Sequence, residues 1–410
     1  MDSKALTKNP INIIVIVAAL GYFVDIYDLI LFGIVRVPSL LAIGVTQDQL
    51  LVKGIFLLNM QMIGMLVGGI VWGIMGDKRG RLPVLFFTIA LYSLANFANG
   101  FVQNMGQYAV LRFIAGFGLA GELGIGITLV SEVMSKETRG NGTTVVSGIG
   151  IAGAVLGFLV ADLFNWRVAY WVGGGLGLSL LLLRVSVYES GMFEKSKHSS
   201  DSKQRGNIVS LFTNRKRFLK YLYCIMMGIP AWFIIGLLVI QAPEFAKLLH
   251  IKGDIIGGKA VMWHYVGVSL GSFVIGFISQ WLHSRKKSLL VSFALLIIFT
   301  FLYFNAANYT SFMFYVILFF LGIAQGYWTV FITTASEQFG TNMRATVTTT
   351  VPNFVRGATV LISMSVLYLK DVSDLLTAAA VVGFICIGLA VIATFLIEET
   401  FDKDLDYIEE

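Results

Sequence analysis

The chain has 410 residues, of which 57% are hydrophobic and 13% charged, with a formal net charge of +6 and a mean hydropathy of +0.80. A soluble domain usually carries about 25% charged residues, so the composition excludes a water-soluble globular protein. The two cysteines, Cys224 and Cys386, sit in apolar stretches and are too few for a disulfide framework or a metal centre.

A membrane-spanning helix needs about 20 mostly apolar residues. Twelve stretches of that kind follow one another: 11–35, 51–75, 83–102, 107–134, 142–164, 166–188, 219–246, 257–283, 287–305, 310–338, 346–369 and 373–397. They predict an all-α membrane protein of two six-helix bundles, residues 1–188 and 219–410. The polar segment 189–218 is the predicted linker between them. The first nine residues are polar and lead straight into span one, so no cleavable leader is expected.

Lysine and arginine set the expected orientation, because basic loops stay on the cytoplasmic side. With the N-terminus inside, 21 of the 30 basic residues fall on the inner side and seven on the outer side. Arg112 and Arg356 lie within spans. The reading is a multi-pass protein of the cell inner membrane with both termini cytoplasmic. The same distribution explains the positive charge without nucleic acid.

Span one carries Asp25 and Asp28, which at i,i+3 share a helical face. Acids at membrane depth are costly unless they face a polar cavity or carry a proton. With Glu122 of span four they are the candidates for proton coupling; the alternative is a fixed internal salt bridge. The loop after span two reads Gly73-Ile74-Met75-Gly76-Asp77-Lys78-Arg79-Gly80-Arg81. Asp77 can accept hydrogen bonds at a facing helix N-terminus, and Arg79 and Arg81 can bridge to carboxylates. Span five holds Gly148, Gly150, Gly153 and Gly157, a pattern for close helix packing.

Span ten repeats features of span four. Gly121, Thr128, Ser131, Glu132 and Arg139 recur 205 positions later as Gly326, Thr333, Ser336, Glu337 and Arg344. Several matches at one offset indicate an internal duplication, as in transporters that alternate access around a midplane site. In span eleven Arg356 lies near mid-membrane, where it needs an acid or a substrate anion as partner, and guanidinium suits bidentate recognition of carboxylate. Asn353, Gln241, Gln325, Tyr327 and His264 are further candidates to line a mixed polar cavity. No P-loop, metal-ligand cluster or nucleophile–base set is visible, so neither an enzyme nor a cofactor is expected.

The 73–81 loop resembles the major facilitator loop signature, and Arg112-Phe113-Ile114-Ala115-Gly116-Phe117-Gly118 resembles that superfamily's span-four signature. With twelve spans and a central linker, the resemblance covers nearly the whole chain. Acids in span one together with Gly121-Glu122 resemble the metabolite–proton symporter and the organic-acid and sialic-acid transporter groups. The resemblance implies proton-coupled uptake of a small organic anion by a monomer that alternates access across the bilayer. It also implies a gating role for Asp77, Arg79, Arg81, Arg112 and the Glu132/Arg139 and Glu337/Arg344 pairs. The second-half counterpart of the loop, 276–285, lacks the acid, so gating there should be asymmetric. The competing reading is a proton-coupled exporter of amphiphilic compounds; against it, Gly157 is followed by Phe158 rather than proline.

Overall fold

The computed structural model describes residues 13–79, 81–122, 139–189, 210–401 and 403. Their helices of ten residues or more are α1 (Ile13–Ala42), α2 (Leu50–Arg79), α3 (Arg81–Asn99), α4 (Met105–Leu119), α5 (Arg139–Leu163), α6 (Trp166–Glu189), α7 (Arg215–Phe233), α8 (Gly257–Trp281), α9 (Arg285–Phe304), α10 (Ser311–Gln325), α11 (Trp328–Glu337), α12 (Thr341–Lys370) and α13 (Leu375–Leu396). Eight stretches of the described residues are long and apolar enough to cross a membrane. Leu163, Leu182, Phe277, Trp281, Leu361 and Tyr368 are each more than 70% exposed. So much bare apolar surface suits lipid, not water. We call the face at which α1 starts proximal and the opposite face distal.

The predicted spans match the helices to within a few residues at most ends. The differences have local causes. α1 runs through Pro38 to Ala42, longer than the apolar stretch, and α12 starts at Thr341, before its hydropathy rises. Span seven passes from α7 into a π-helical segment, Ile234–Val239, four residues after Pro230. Proline has no N–H to give the helix ladder, so the backbone must find other partners there. The Ala231 amide donates to the Tyr327 hydroxyl at 3.1 Å. Several helix starts are capped by a polar side chain: Asn104 takes the Gln107 amide, Ser284 the Lys287 amide and Asp374 the Thr377 amide.

The helix pairings repeat between the halves. In the first half α1 packs on α5 and α6, α2 on α4, and α3 on α4 and α6. In the second, α7 packs on α12 and α13, α8 on α10, and α9 on α10 and α13. The halves meet through two matching interfaces, α2 with α12 and α5 with α8, which a pseudo-twofold axis exchanges. The closest crossings repeat to the residue. A Cβ added at Gly64, Gly68 or Gly116 would overlap the carbonyl of Phe113, Phe117 or Gln61. At Gly267, Gly271 or Gly322 it would overlap that of Phe319, Ile323 or His264. Only glycine lets these backbones touch. In span five, Gly150 faces the Tyr22 ring and Gly153 the Phe23 carbonyl of α1, the close packing expected of that glycine pattern.

Candidate functional site

Spans four and ten both break. α4 gives way to a turn at residues 120–122, and α10 to one at residues 326–327 before α11 resumes. Gly121 packs against Thr88 and Gly326 against the Gly271 backbone. The residue after each glycine is freed from a regular helix. In the first half it is Glu122, in the second Tyr327. Tyr327 is fully buried, and its hydroxyl is occupied by the backbone beside Pro230. Glu122 is 2% exposed and lies against Arg184 of α6, with Oε1 to Nη1 at 2.5 Å.

That contact revises the place of Arg184, which its position in the sequence assigns to the basic inner rim. Its side chain is 9% exposed and runs inward across α1. A Cβ at Gly21 would overlap its Nη2 atom, so glycine is what lets the guanidinium pass. Burying a charge is tolerated only with a partner, and Glu122 is that partner. Nothing in local spacing links positions 122 and 184, since they meet only once the bundle forms.

Asp25 is 6% exposed and has Glu122, Arg184 and Arg356 as charged neighbours. Arg356 reaches this point from the other half. It is 3% exposed, lies 5.9 Å from the Trp232 ring, and donates from Nη1 to Asn353 Oδ1 at 3.4 Å. Its Nε has no hydrogen-bond partner among the described residues. Asn353 also grips the first half, donating from Nδ2 to the Ala120 carbonyl at 3.1 Å. Asp25, Glu122, Arg184 and Arg356 thus form one buried group of two acids and two guanidiniums between the halves.

Asp28 stands apart. It is fully buried against Gly173 of α6, with Asn96, Arg112 and Glu122 as electrostatic neighbours. Arg112 is also fully buried. It donates to Asn96, to Asn99 at 3.3 Å and to Gln61 at 3.4 Å, and lies over the Tyr170 ring. This is an internal polar network of the first half. His264 and Gln325 are buried where α8 meets α10, and His264 Nδ1 lies 3.2 Å from the Leu318 carbonyl. Gln241 is buried beyond the π-helical segment, with both amide atoms lacking partners among the described residues. These three do not join the group around Arg356.

At the proximal ends the side chains of Asp77, Arg79, Arg81 and Arg139, and all of Glu132, lie outside the described residues. In the second half Glu337 pairs with Arg285, Oε1 to Nη2 at 3.3 Å, and accepts from Thr400 at 2.7 Å. Arg344 donates to the carbonyls of Ser336 and Phe339. The residues after α13 are bound in: Glu399 accepts from Ser284 and from the amides of Arg285 and Lys286 at the start of α9. At the distal face Arg36 of α1 pairs with Glu244, which follows α7. Sequence reading missed this pair, because Arg36 looked like an ordinary loop cation.

A bundle of two pseudo-symmetric halves, with charged groups buried at their interface, defines a membrane protein of the transporter type. The Major Facilitator Superfamily model matches residues 15–363, and the chain belongs to that family. It is 27% identical over 62% of its length to a probable 4-methylmuconolactone transporter of Cupriavidus pinatubonensis, and the match spans 58% of that relative. It is likewise 27% identical over 65% of its length to the sialic acid transporter NanX of Escherichia coli, with 68% of that protein covered. The fold resembles the inward open conformation of the xylose transporter XylE from E. coli, with a TM-score of 0.71, 15% identity, and 96% of this chain and 98% of that one covered.

Proposed function

We infer that the protein is a secondary transporter that carries a small organic anion into the cell together with protons, by alternating access. One observation carries this reading: Arg356 is buried between the halves beside Asp25, with part of its guanidinium uncommitted. The group has two positive and two negative members, so its own formal charge is zero. A bound monoanion would leave one net negative charge in a dry site. A proton taken up by Asp25 or Glu122 cancels it. Anion and proton therefore favour each other's entry, which is the thermodynamic definition of coupling. Asp28, hydrogen-bond-poor beside Arg112, is the third acid in this role. The halves, 1–188 and 219–410, rock about the α2–α12 and α5–α8 contacts. In this reading both termini and the 189–218 linker face the cytoplasm and the membrane is the inner one, as the excess of lysine and arginine on that side supports.

Both relatives are named for transport of small organic metabolites, one of them an acid, which supports the substrate class. The test is uptake of radiolabelled benzoate, nicotinate and sialic acid by proteoliposomes under an imposed pH gradient. Accumulation that follows the proton inward supports the reading. Accumulation of a neutral or cationic amphiphile against the direction of proton flow would replace it with export.

A further inference from the structure

Arg184 and Arg356 approach Asp25 from opposite halves, and they differ in one respect. Arg356 keeps an unpartnered Nε, whereas Arg184 is held at 2.5 Å by Glu122. Both are more than nine-tenths buried. The groups that face Glu122 are Asp25 and Asp28 of α1, Tyr92 of α3 and Arg184 of α6. Arg184 is the cation in contact. Leaving a buried guanidinium without a counter-charge is costly, so an event that neutralises Glu122 leaves Arg184 to Asp25, which it shares with Arg356, or to an arriving anion.

We propose that Arg184 is a second anion-binding group of the site, held in reserve by Glu122 and released to the substrate's carboxylate when Glu122 takes up a proton. The inference rests on the transport reading above and deepens it. The step balances: a proton adds to a Glu122 carboxylate oxygen, the Glu122–Arg184 ion pair opens, and Arg184 exchanges one carboxylate for another. Proton and monoanion together add no net charge. The formal charge of Asp25, Glu122, Arg184 and Arg356 taken together is zero before the exchange, and zero after it with the bound anion counted. An anion without its proton would find Arg184 already taken. The Glu122–Arg184 pair is closed in a structure whose distal side is tied by Arg36 and Glu244. The chemistry selected is a carboxylate flanked by two guanidiniums, beside Trp232 and Tyr265, which neighbour Arg356.

The experiment is calorimetric titration of benzoate into purified wild type, Glu122→Gln, Arg184→Gln and the double variant, at about pH 6 and about pH 8, where benzoate stays ionised. Wild type should bind about tenfold more weakly at the higher pH. Glu122→Gln should bind as tightly at both, since Arg184 is already free. Arg184→Gln and the double variant should bind about tenfold more weakly than Glu122→Gln at either pH. The double variant leaves no buried charge unpaired, so it reads out the role of Arg184 even where Arg184→Gln fails to fold. A double variant that binds like Glu122→Gln, or a wild type with no pH dependence, makes Arg184 a structural counter-charge and overturns the inference while the transport reading stands. Failure of wild type to bind benzoate, nicotinate or sialic acid at either pH overturns both.

Discussion

Arg36 and Glu244 join the two halves at the distal face by two parallel hydrogen bonds, Nη1 to Oε1 at 2.8 Å and Nη2 to Oε2 at 2.6 Å. Arg36 is fully buried, and its Nη1 also reaches the Leu50 carbonyl at 3.2 Å. Forked geometry makes this a strong ion pair, and its position across the halves makes it a latch on the distal opening. Breaking one side of a buried pair costs about 3 kcal/mol. Arg36→Ala should therefore shift the protein toward a distally open state. A cysteine placed at the buried Ile240, which faces Gly33 of the other half, should become reactive to a thiol reagent added from that face. The charge swap Arg36→Glu with Glu244→Arg should restore protection. An Ile240→Cys side chain equally protected in all variants would show that the pair bears no closing load.

Tyr327 is expected to matter for folding rather than for ligand. Its hydroxyl accepts from the Ala231 amide beside Pro230. Tyr327→Phe leaves that buried donor unsatisfied and should cost about 1–3 kcal/mol, read as a lower melting temperature in detergent. Benzoate affinity should stay within a few-fold of wild type. Lost affinity at unchanged melting temperature would place Tyr327 in the binding site.

Glu399 should make stability depend on acid pH. Partial burial pushes its carboxyl up, but hydrogen bonds from Ser284 and from the amides of Phe401, Arg285 and Lys286 outweigh that and hold it below the ordinary value of 4.5. A depressed folded value means the contribution is full above the unfolded value and is lost as pH falls through the folded one. Melting temperature should therefore drop as pH is lowered below 4.5. Glu399→Gln should already be less stable at neutral pH and should show a smaller acid-side drop. Parallel curves for the two proteins would show that the Glu399 contacts contribute nothing.

The glycine crossings give a paired test. Gly267→Ala and Gly64→Ala would each press a methyl into a carbonyl of the facing helix and should destabilise by about 1–3 kcal/mol. At Gly175 and Gly388 an added Cβ meets no described atom within 4 Å. Alanine there should be neutral or stabilise by up to about 1 kcal/mol, since it restricts the unfolded chain. Equal melting temperatures across all four variants would refute the backbone-contact account.

The spans were legible because hydropathy alone marks a helix that faces lipid. The repeat was legible because Gly121, Glu132 and Arg139 keep one offset from their partners. What escaped were contacts between distant segments. Arg184 looks like a rim cation until α6 is seen to lean on Gly21. Arg36 and Glu244 are 208 positions apart and belong to different halves. Tyr327 and Gln241 looked like cavity residues because polar side chains in apolar helices do line cavities. In the packed structure the Tyr327 hydroxyl takes the Ala231 amide beside Pro230, a contact that hydropathy does not reveal. The pairing of Glu337 with Arg285 likewise follows from the approach of α8 and α9 to α11, and hydropathy has no access to it.

The break in span four has a mechanical consequence. Glu122 sits two residues from the Ala120 carbonyl, which Asn353 grips from the opposite half, and Asn353 in turn steadies Arg356. In the transport reading proposed above, a change of charge at one end and the arrival of an anion at the other pull on the same peptide group. The two events need no long relay to keep time with each other. On that reading they are geared through a single main-chain oxygen, at the turn where the Gly121 and Glu122 amides change to i−3 acceptors.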